Sequence, residues 1–96
     1  MDLTAFRASL AAAEPPPGTS LPLRALWWDA KGDWDKAHDC AQEDDGASGA
    51  IVHAYLHRKE GDTGNAGYWY RRAGKWDAKG SLRREWEEIV EDLLGR

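Results

Sequence analysis

Two stretches of the sequence share the pattern Gly-Asp-x-x-x-Ala: residues 32–37 read Gly-Asp-Trp-Asp-Lys-Ala, and residues 61–66 read Gly-Asp-Thr-Gly-Asn-Ala. Glycine can adopt the left-handed conformation that ends a helix, and aspartate accepts hydrogen bonds from the free amides that begin the next helix. The alanine of each stretch lets two helices approach closely. The pattern therefore predicts a helix–turn–helix unit that occurs twice.

Apolar residues recur at helical spacing on both sides of each turn. They predict a first hairpin over residues 22–45 and a second over residues 48–74, with a C-terminal helix over residues 81–95. A short helix over residues 1–14 is separated from them by a proline-rich linker, residues 15–20, because proline ends a helix. No segment alternates like a β-strand. The predicted fold class is all-α, with two antiparallel helical hairpins flanked by N-terminal and C-terminal capping helices.

Aromatic residues supply much of the predicted core, since the chain has six tryptophans and three tyrosines. Consecutive residues of a helix point about 100° apart, so runs of aromatic residues must divide between core and surface. The side chains assigned to the core are Trp27, Trp69 and Tyr70. Those left partly exposed are Trp28, Tyr68 and Trp76. On the C-terminal helix, the i,i+4 spacing predicts ion pairs of Arg83 with Glu87 and of Arg84 with Glu88.

The turn sequences resemble those of tetratricopeptide (TPR) repeats, in which a small residue, an acidic cap, an aromatic residue and an alanine join two helices. The residues that carry the resemblance are Gly32, Asp33, Trp34 and Ala37 in the first unit, and Gly61, Asp62 and Ala66 in the second. The chain is interpreted as a divergent, two-unit member of this TPR-like family. The resemblance implies a concave face, between the second and fourth helices, that binds a peptide or a partner protein.

Basic residues are concentrated in residues 57–84, although the chain as a whole has a net charge of −4. Guanidinium groups make bidentate contacts with carboxylates and phosphates, so this segment is a candidate anion-binding surface. The candidate ligand-binding residues are Arg58, Asn65, Tyr68, Arg71 and Arg72. The alternative interpretation is that these arginines pair with acidic residues of the same chain and have only a structural role.

Three residues of the predicted fourth helix, His53, His57 and Glu60, lie on one stripe. Two imidazoles one turn apart can chelate a divalent metal ion, and His38 on the preceding helix is a candidate third nitrogen ligand. With Arg58 nearby, the same neighbourhood is a candidate small-molecule site. The alternative is that these histidines only form hydrogen bonds within the helix packing. The His-Glu-x-x-His pattern of metalloproteases is absent.

No catalytic or cofactor-binding motif stands out, so no cofactor is expected. Cys40 is the only cysteine, and its neighbours Asp39 and Glu43 would raise the pKa of its thiol rather than lower it. The acidic total charge argues against nucleic-acid binding, and no apolar stretch has the length of a membrane span. A single cysteine is typical of a reducing compartment, so we expect a soluble, cytoplasmic protein.

Three functional hypotheses follow. The first is a non-enzymatic interaction module whose partner is a protein or an acidic peptide. The second is a protein that binds a small molecule or a divalent metal ion near His53, His57, Glu60 and Arg58. The third is a structural protein that forms a homodimer through exposed tryptophans.

Overall fold

The computed structural model describes residues 1–96 and contains six α-helices and no strand, which confirms the predicted all-α class. The helices are α1 (Leu3–Ser9), α2 (Leu21–Ala30), α3 (Trp34–Glu43), α4 (Ala47–Lys59), α5 (Thr63–Arg72) and α6 (Leu82–Leu94). None of them combines the length and the apolar character that a transbilayer helix requires.

Both predicted turn glycines have a left-handed backbone, with φ of 86° at Gly32 and 88° at Gly61. The aspartate after each glycine caps the next helix, because its Oδ1 accepts a hydrogen bond from the amide three residues further along. That bond measures 3.0 Å for Asp33 and 3.1 Å for Asp62. The turn and cap predictions are confirmed. In each turn the glycine adopts the left-handed conformation, and the aspartate that follows it caps the next helix.

The central helix of the molecule is α4, which packs against α2, α3, α5 and α6. Consecutive helices are also packed on each other, α2 on α3 and α4 on α5. Because four helices surround α4, most of its residues from Gly49 to His57 are buried. Among these buried residues are two histidines and a tyrosine, so polar groups enter the interior through this helix.

The aromatic assignments are largely confirmed, with one correction. Trp27 and Tyr70 are completely buried, while Tyr68 and Trp76 are exposed. Trp69, predicted to lie in the core, is only half-buried. One face of its indole covers an imidazole of α4, and α4 is the only helix that packs against α5.

The terminal helices differ in detail from their predictions. The helix predicted over residues 1–14 ends at Ser9, because the amides of Ala11 and Ala12 bond to carbonyls three residues back and form turns instead. Ser20, which immediately precedes α2, makes no side-chain capping bond. On α6 the Arg84–Glu88 pair forms, with Nε and Oε1 3.0 Å apart.

The predicted pair between Arg83 and Glu87 does not form. Glu87 is instead bound by Arg7 of α1, which packs against α6. Arg83 is left exposed and without an ion pair, although it lies one helical turn from an acid. A contact between distant parts of the chain therefore displaces the local pair.

Candidate functional site

Three histidines converge where α3 and α4 pack together, and we call them the histidine cluster: His38, His53 and His57. The Nε2 atoms of His38 and His53 lie 2.9 Å apart. The rings of His53 and His57, one turn apart on α4, have centroids 4.9 Å apart. One ring nitrogen from each histidine lies within 4.8 Å of the other two. The two imidazoles that the sequence placed on one stripe are thus joined by a third from the neighbouring helix.

Two tryptophans enclose the cluster. Trp34 stacks on His38 with centroids 4.8 Å apart and an interplanar angle of 17°. Trp69 stacks on His53 at 4.0 Å and 12°. The Trp34 indole is itself held by a 3.3 Å hydrogen bond from its Nε1 to the carbonyl of Leu56. Stacking on both sides restricts the rotation of the imidazoles and keeps their nitrogens directed at one another.

Glu60 lies beside the cluster and bonds to only one of its members. Its Oε1 is 2.5 Å from Nδ1 of His57. The carboxylates of Glu60 and Asp62 both lie within 4.8 Å of His57, in a group separate from His38 and His53. Of the residues predicted to hold a metal, His53 and His57 therefore belong to the histidine cluster. Glu60 lies outside the cluster and contacts only His57.

His53 is held in its neutral form. Burial, together with the neighbouring His38 and His57, lowers the pKa of His53 to about 4. An uncharged imidazole keeps a lone pair on one ring nitrogen at neutral pH. His53 therefore offers a nitrogen lone pair rather than a positive charge.

A groove of about 420 Å³ lies on another side of α4, between α2, α4 and the two terminal helices, and we call it the α2–α4 groove. Its walls combine apolar side chains with a small number of charged ones. The lining residues are Arg7, Leu10, Asp29, Ala30, Tyr55, Lys59, Leu82, Arg83 and Trp86. Pockets with this composition are typical of ligand-binding sites.

A buried carboxylate lies at the base of this groove. Asp29 is only 4% exposed and accepts hydrogen bonds from the Tyr55 hydroxyl and from Nζ of Lys59, each at 2.8 Å. Burial and the nearby Asp29 charge hold the pKa of Tyr55 far above its usual value, so its hydroxyl stays protonated and donates. Sequence analysis missed Asp29. The available signal was that α2 carries this acid in an otherwise largely apolar helix.

Arg58, one of the predicted ligand-binding residues, is used inside the molecule. Its Nη1 donates to Oε1 of the buried Glu85 at 2.9 Å, and its Nη2 donates to the carbonyl of Gly80. Glu85 also accepts a hydrogen bond from the Tyr70 hydroxyl. Arg58 therefore joins α4 to α6 and the loop before it.

The other four predicted ligand-binding residues are not gathered around Arg58. Asn65 donates through Nδ2 to Asp62 at 2.7 Å, as part of the cap of α5. The guanidinium of Arg72 lies over the rings of Tyr68 and Trp69, at 6.0 and 5.2 Å from their centroids. Arg71 is exposed. The basic segment is thus divided between a buried ion pair and the outer side of α5.

The remaining reactive side chain, Cys40 on α3, is half-buried and lies outside the histidine cluster. Burial raises the pKa of its thiol, as do the acids Glu43 and Asp39, against the opposing effect of Arg24. The thiol is therefore protonated at neutral pH, which disfavours both nucleophilic attack and metal ligation by this residue.

Comparison of the chain with known proteins finds no matching family model, no matching curated protein and no matching solved structure. Function has to be inferred from the geometry of the two sites.

Proposed function

We propose that the protein is a non-enzymatic interaction module that binds a segment of a partner protein in the α2–α4 groove. The segment carries an apolar anchor next to an acidic residue. The groove runs along α2 and α4, the two helices between which the TPR resemblance implies a binding face. Its apolar walls and its charges support such a ligand.

The observation that carries the proposal is the charge of the groove. Its one acid, Asp29, is already neutralised by Lys59. Arg7 is paired with Glu87, whereas Arg83 on the opposite helix has no acid bound to it. The groove therefore has an unsatisfied cation at its rim, and a carboxylate of the ligand would complete the pair.

The apolar part of the ligand would pack on the wall formed by Trp86, Leu10 and Leu82. The guanidinium of Arg7 lies 5.9 Å from the centroid of the Trp86 ring, so this wall has a polar edge. A volume of about 420 Å³ accommodates one large side chain with part of its backbone. An aromatic or Leu anchor in a desolvated pocket typically provides much of the energy of such interfaces.

Fluorescence anisotropy tests the proposal with two labelled peptides that share a central Trp, flanked by glutamates in one and by lysines in the other. We expect the acidic peptide to bind about tenfold more tightly, with an affinity that falls as salt increases. Arg83→Glu should weaken it at least about fivefold. The matched control is Arg84→Glu, which makes the same charge change on the next residue, outside the groove. Equal effects of the two variants, or no preference for the acidic peptide, would contradict the proposal.

A second candidate function is self-association, which is favoured by one observation. Trp76 is 94% exposed, an unusual environment for a large aromatic side chain. Sedimentation velocity of the native chain and of Trp76→Ala tests it. A concentration-dependent dimer that the substitution abolishes supports self-association, and a monomer at all concentrations excludes it.

A further inference from the structure

We propose that the histidine cluster binds one divalent transition-metal ion, with His38, His53 and His57 as its three protein ligands. This site is independent of the α2–α4 groove and of the function proposed for it. The ligand set joins α3 to α4, so the metal would bridge the two predicted hairpins at their junction. The nitrogens in contact are Nε2 of His38 and Nε2 of His53, and the third is supplied by His57.

The separations between the nitrogens fit a metal ion. Zinc bonded to imidazole nitrogens at about 2.0–2.1 Å in a tetrahedron holds those nitrogens roughly 3.3 Å apart. In this structure one pair of nitrogens is 2.9 Å apart, and all three lie within 4.8 Å of one another. The nitrogen–nitrogen distance of roughly 3.3 Å that zinc requires lies between 2.9 and 4.8 Å. Changes in the side-chain torsions that move the ring nitrogens by no more than about 1.5 Å would therefore bring them to the distances that zinc requires.

Glu60 gives His57 the arrangement of a metal ligand. Its carboxylate holds Nδ1 of His57, so that the lone pair of this imidazole is on Nε2. Histidines that bind metals usually donate their second N–H to a carboxylate or a carbonyl in this way.

The chemistry of the ligand set selects the class of metal. Three imidazoles, without an inner carboxylate or thiolate, suit zinc, copper and nickel rather than calcium or magnesium, which prefer oxygen ligands. The fourth position would be taken by water. A cavity of about 90 Å³, lined by His53, Trp69 and the acids Asp44 and Asp45, borders the cluster at His53 and is large enough to hold such a molecule.

The tryptophans make metal binding directly observable. Trp69 and Trp34 stack on two of the three imidazoles. Copper(II), nickel(II) and cobalt(II) have partly filled d shells and quench the fluorescence of indoles at such short range. Zinc(II) binds without this quenching and serves as the competitor.

The experiment uses the full chain without a polyhistidine tag, after removal of metals with a chelator. Isothermal titration with zinc chloride should give one site per chain, with a dissociation constant in the micromolar range or below. Cobalt(II) should quench tryptophan fluorescence with the same stoichiometry, and added zinc should reverse the quenching. Magnesium and calcium should produce neither signal.

Variants identify the ligands. His38→Gln is the most informative, because His38 is only half-buried and the substitution should leave the fold intact. It should weaken zinc binding at least about tenfold. Glu60→Gln should weaken it about tenfold through the orientation of His57. The control is Cys40→Ser, which alters another potential ligand on α3 and should leave the affinity unchanged.

The thermal transition provides a readout that does not depend on tryptophan. Zinc should raise the melting temperature of the native chain and of Cys40→Ser. At the same zinc concentration it should raise that of His38→Gln much less, because stabilisation grows with the ratio of ligand concentration to dissociation constant. Circular dichroism confirms that each variant is folded. The proposal is overturned if zinc does not bind, or if folded His38→Gln binds zinc as tightly as the native chain.

Discussion

The indole of Trp69 lies nearly parallel to the imidazole of His53, with ring centroids 4.0 Å apart. Trp69 therefore covers a polar group and packs beside the small apolar cluster of Ala54, Ala66 and Tyr70, outside the main core. This changes the expected effect of removing it. We expect Trp69→Ala to lower the free energy of unfolding by about 1.5–3 kcal/mol, less than for a fully buried aromatic residue. Urea unfolding measures this value. Trp76→Ala is the control and should change stability by less than about 0.5 kcal/mol, since Trp76 is exposed.

The same relationship predicts the protonation of His53. Truncating Trp69 admits water to the imidazole, so its pKa should rise from about 4 towards the ordinary value of 6.5. Nuclear magnetic resonance titration of the histidine side chains in metal-free Trp69→Ala tests this prediction. An unchanged pKa would mean that the neighbouring imidazoles, rather than the indole, keep His53 neutral.

The low pKa of His53 also makes the stability of the metal-free protein depend on pH. The unfolded chain takes up a proton at this imidazole near pH 6.5, whereas the folded chain does so only near pH 4. Stability should therefore be lost as pH falls from 6.5 to 4, by on the order of 2–3 kcal/mol, and should not depend on His53 above pH 7. His38 and His57 are the titratable groups that face this imidazole. In His53→Gln, the free energy of unfolding should depend less on pH between pH 6.5 and 5. The same pH dependence in the variant and the native chain would show that His53 is not the group responsible.

The glycines of the chain should respond to alanine substitution in three different ways. At Gly61 a methyl group has open space, but φ is 88°, so Gly61→Ala should cost about 1 kcal/mol through backbone strain. At Gly49 the added Cβ would lie 2.3 Å from the carbonyl oxygen of Asp44, so Gly49→Ala should cost more. Gly64 lies in α5 with its nearest neighbouring atom 3.8 Å from that position, so Gly64→Ala should stabilise by about 0.5–1 kcal/mol. Thermal melts should therefore give the highest melting temperature for Gly64→Ala, a lower one for Gly61→Ala and the lowest for Gly49→Ala. Any other order would contradict the prediction.

The features predicted correctly from the sequence are those set by nearby residues. Gly32 and Asp33 form their turn and cap with atoms of the same few residues, and the i,i+4 spacing of His53 and His57 places both on one face of α4. The position of Asp29 was not predictable in this way. Its partners Tyr55 and Lys59 lie on another helix, so its burial depends on how α2 packs against α4.

The α2–α4 groove contains an ion pair whose contribution can be measured. Asp29→Ala removes the only acceptor of the Tyr55 hydroxyl and the partner of Lys59, so we expect a loss of about 2–4 kcal/mol. Lys59→Met retains the apolar stem but leaves the carboxylate of Asp29, which is 4% exposed, without its cation, so it should also cost about 2–4 kcal/mol. Chemical denaturation of both variants measures the two losses. A loss below about 0.5 kcal/mol in Lys59→Met would show that the Tyr55 hydroxyl alone stabilises the Asp29 charge.

The arginines of the basic segment should differ sharply in their structural importance. Arg58 donates to Glu85, which is only 7% exposed, so Arg58→Gln leaves a buried carboxylate without its cation and should cost about 2–4 kcal/mol. Arg71→Gln makes the same chemical change at an exposed position and should cost less than about 0.5 kcal/mol. Denaturant unfolding at two salt concentrations compares them. Because the Arg58–Glu85 pair is shielded from solvent, the loss in Arg58→Gln should persist at high salt. A large loss of stability in Arg71→Gln would instead show that Arg71 pairs with an acid of the same chain. It would support the alternative that the arginines of the basic segment have only a structural role.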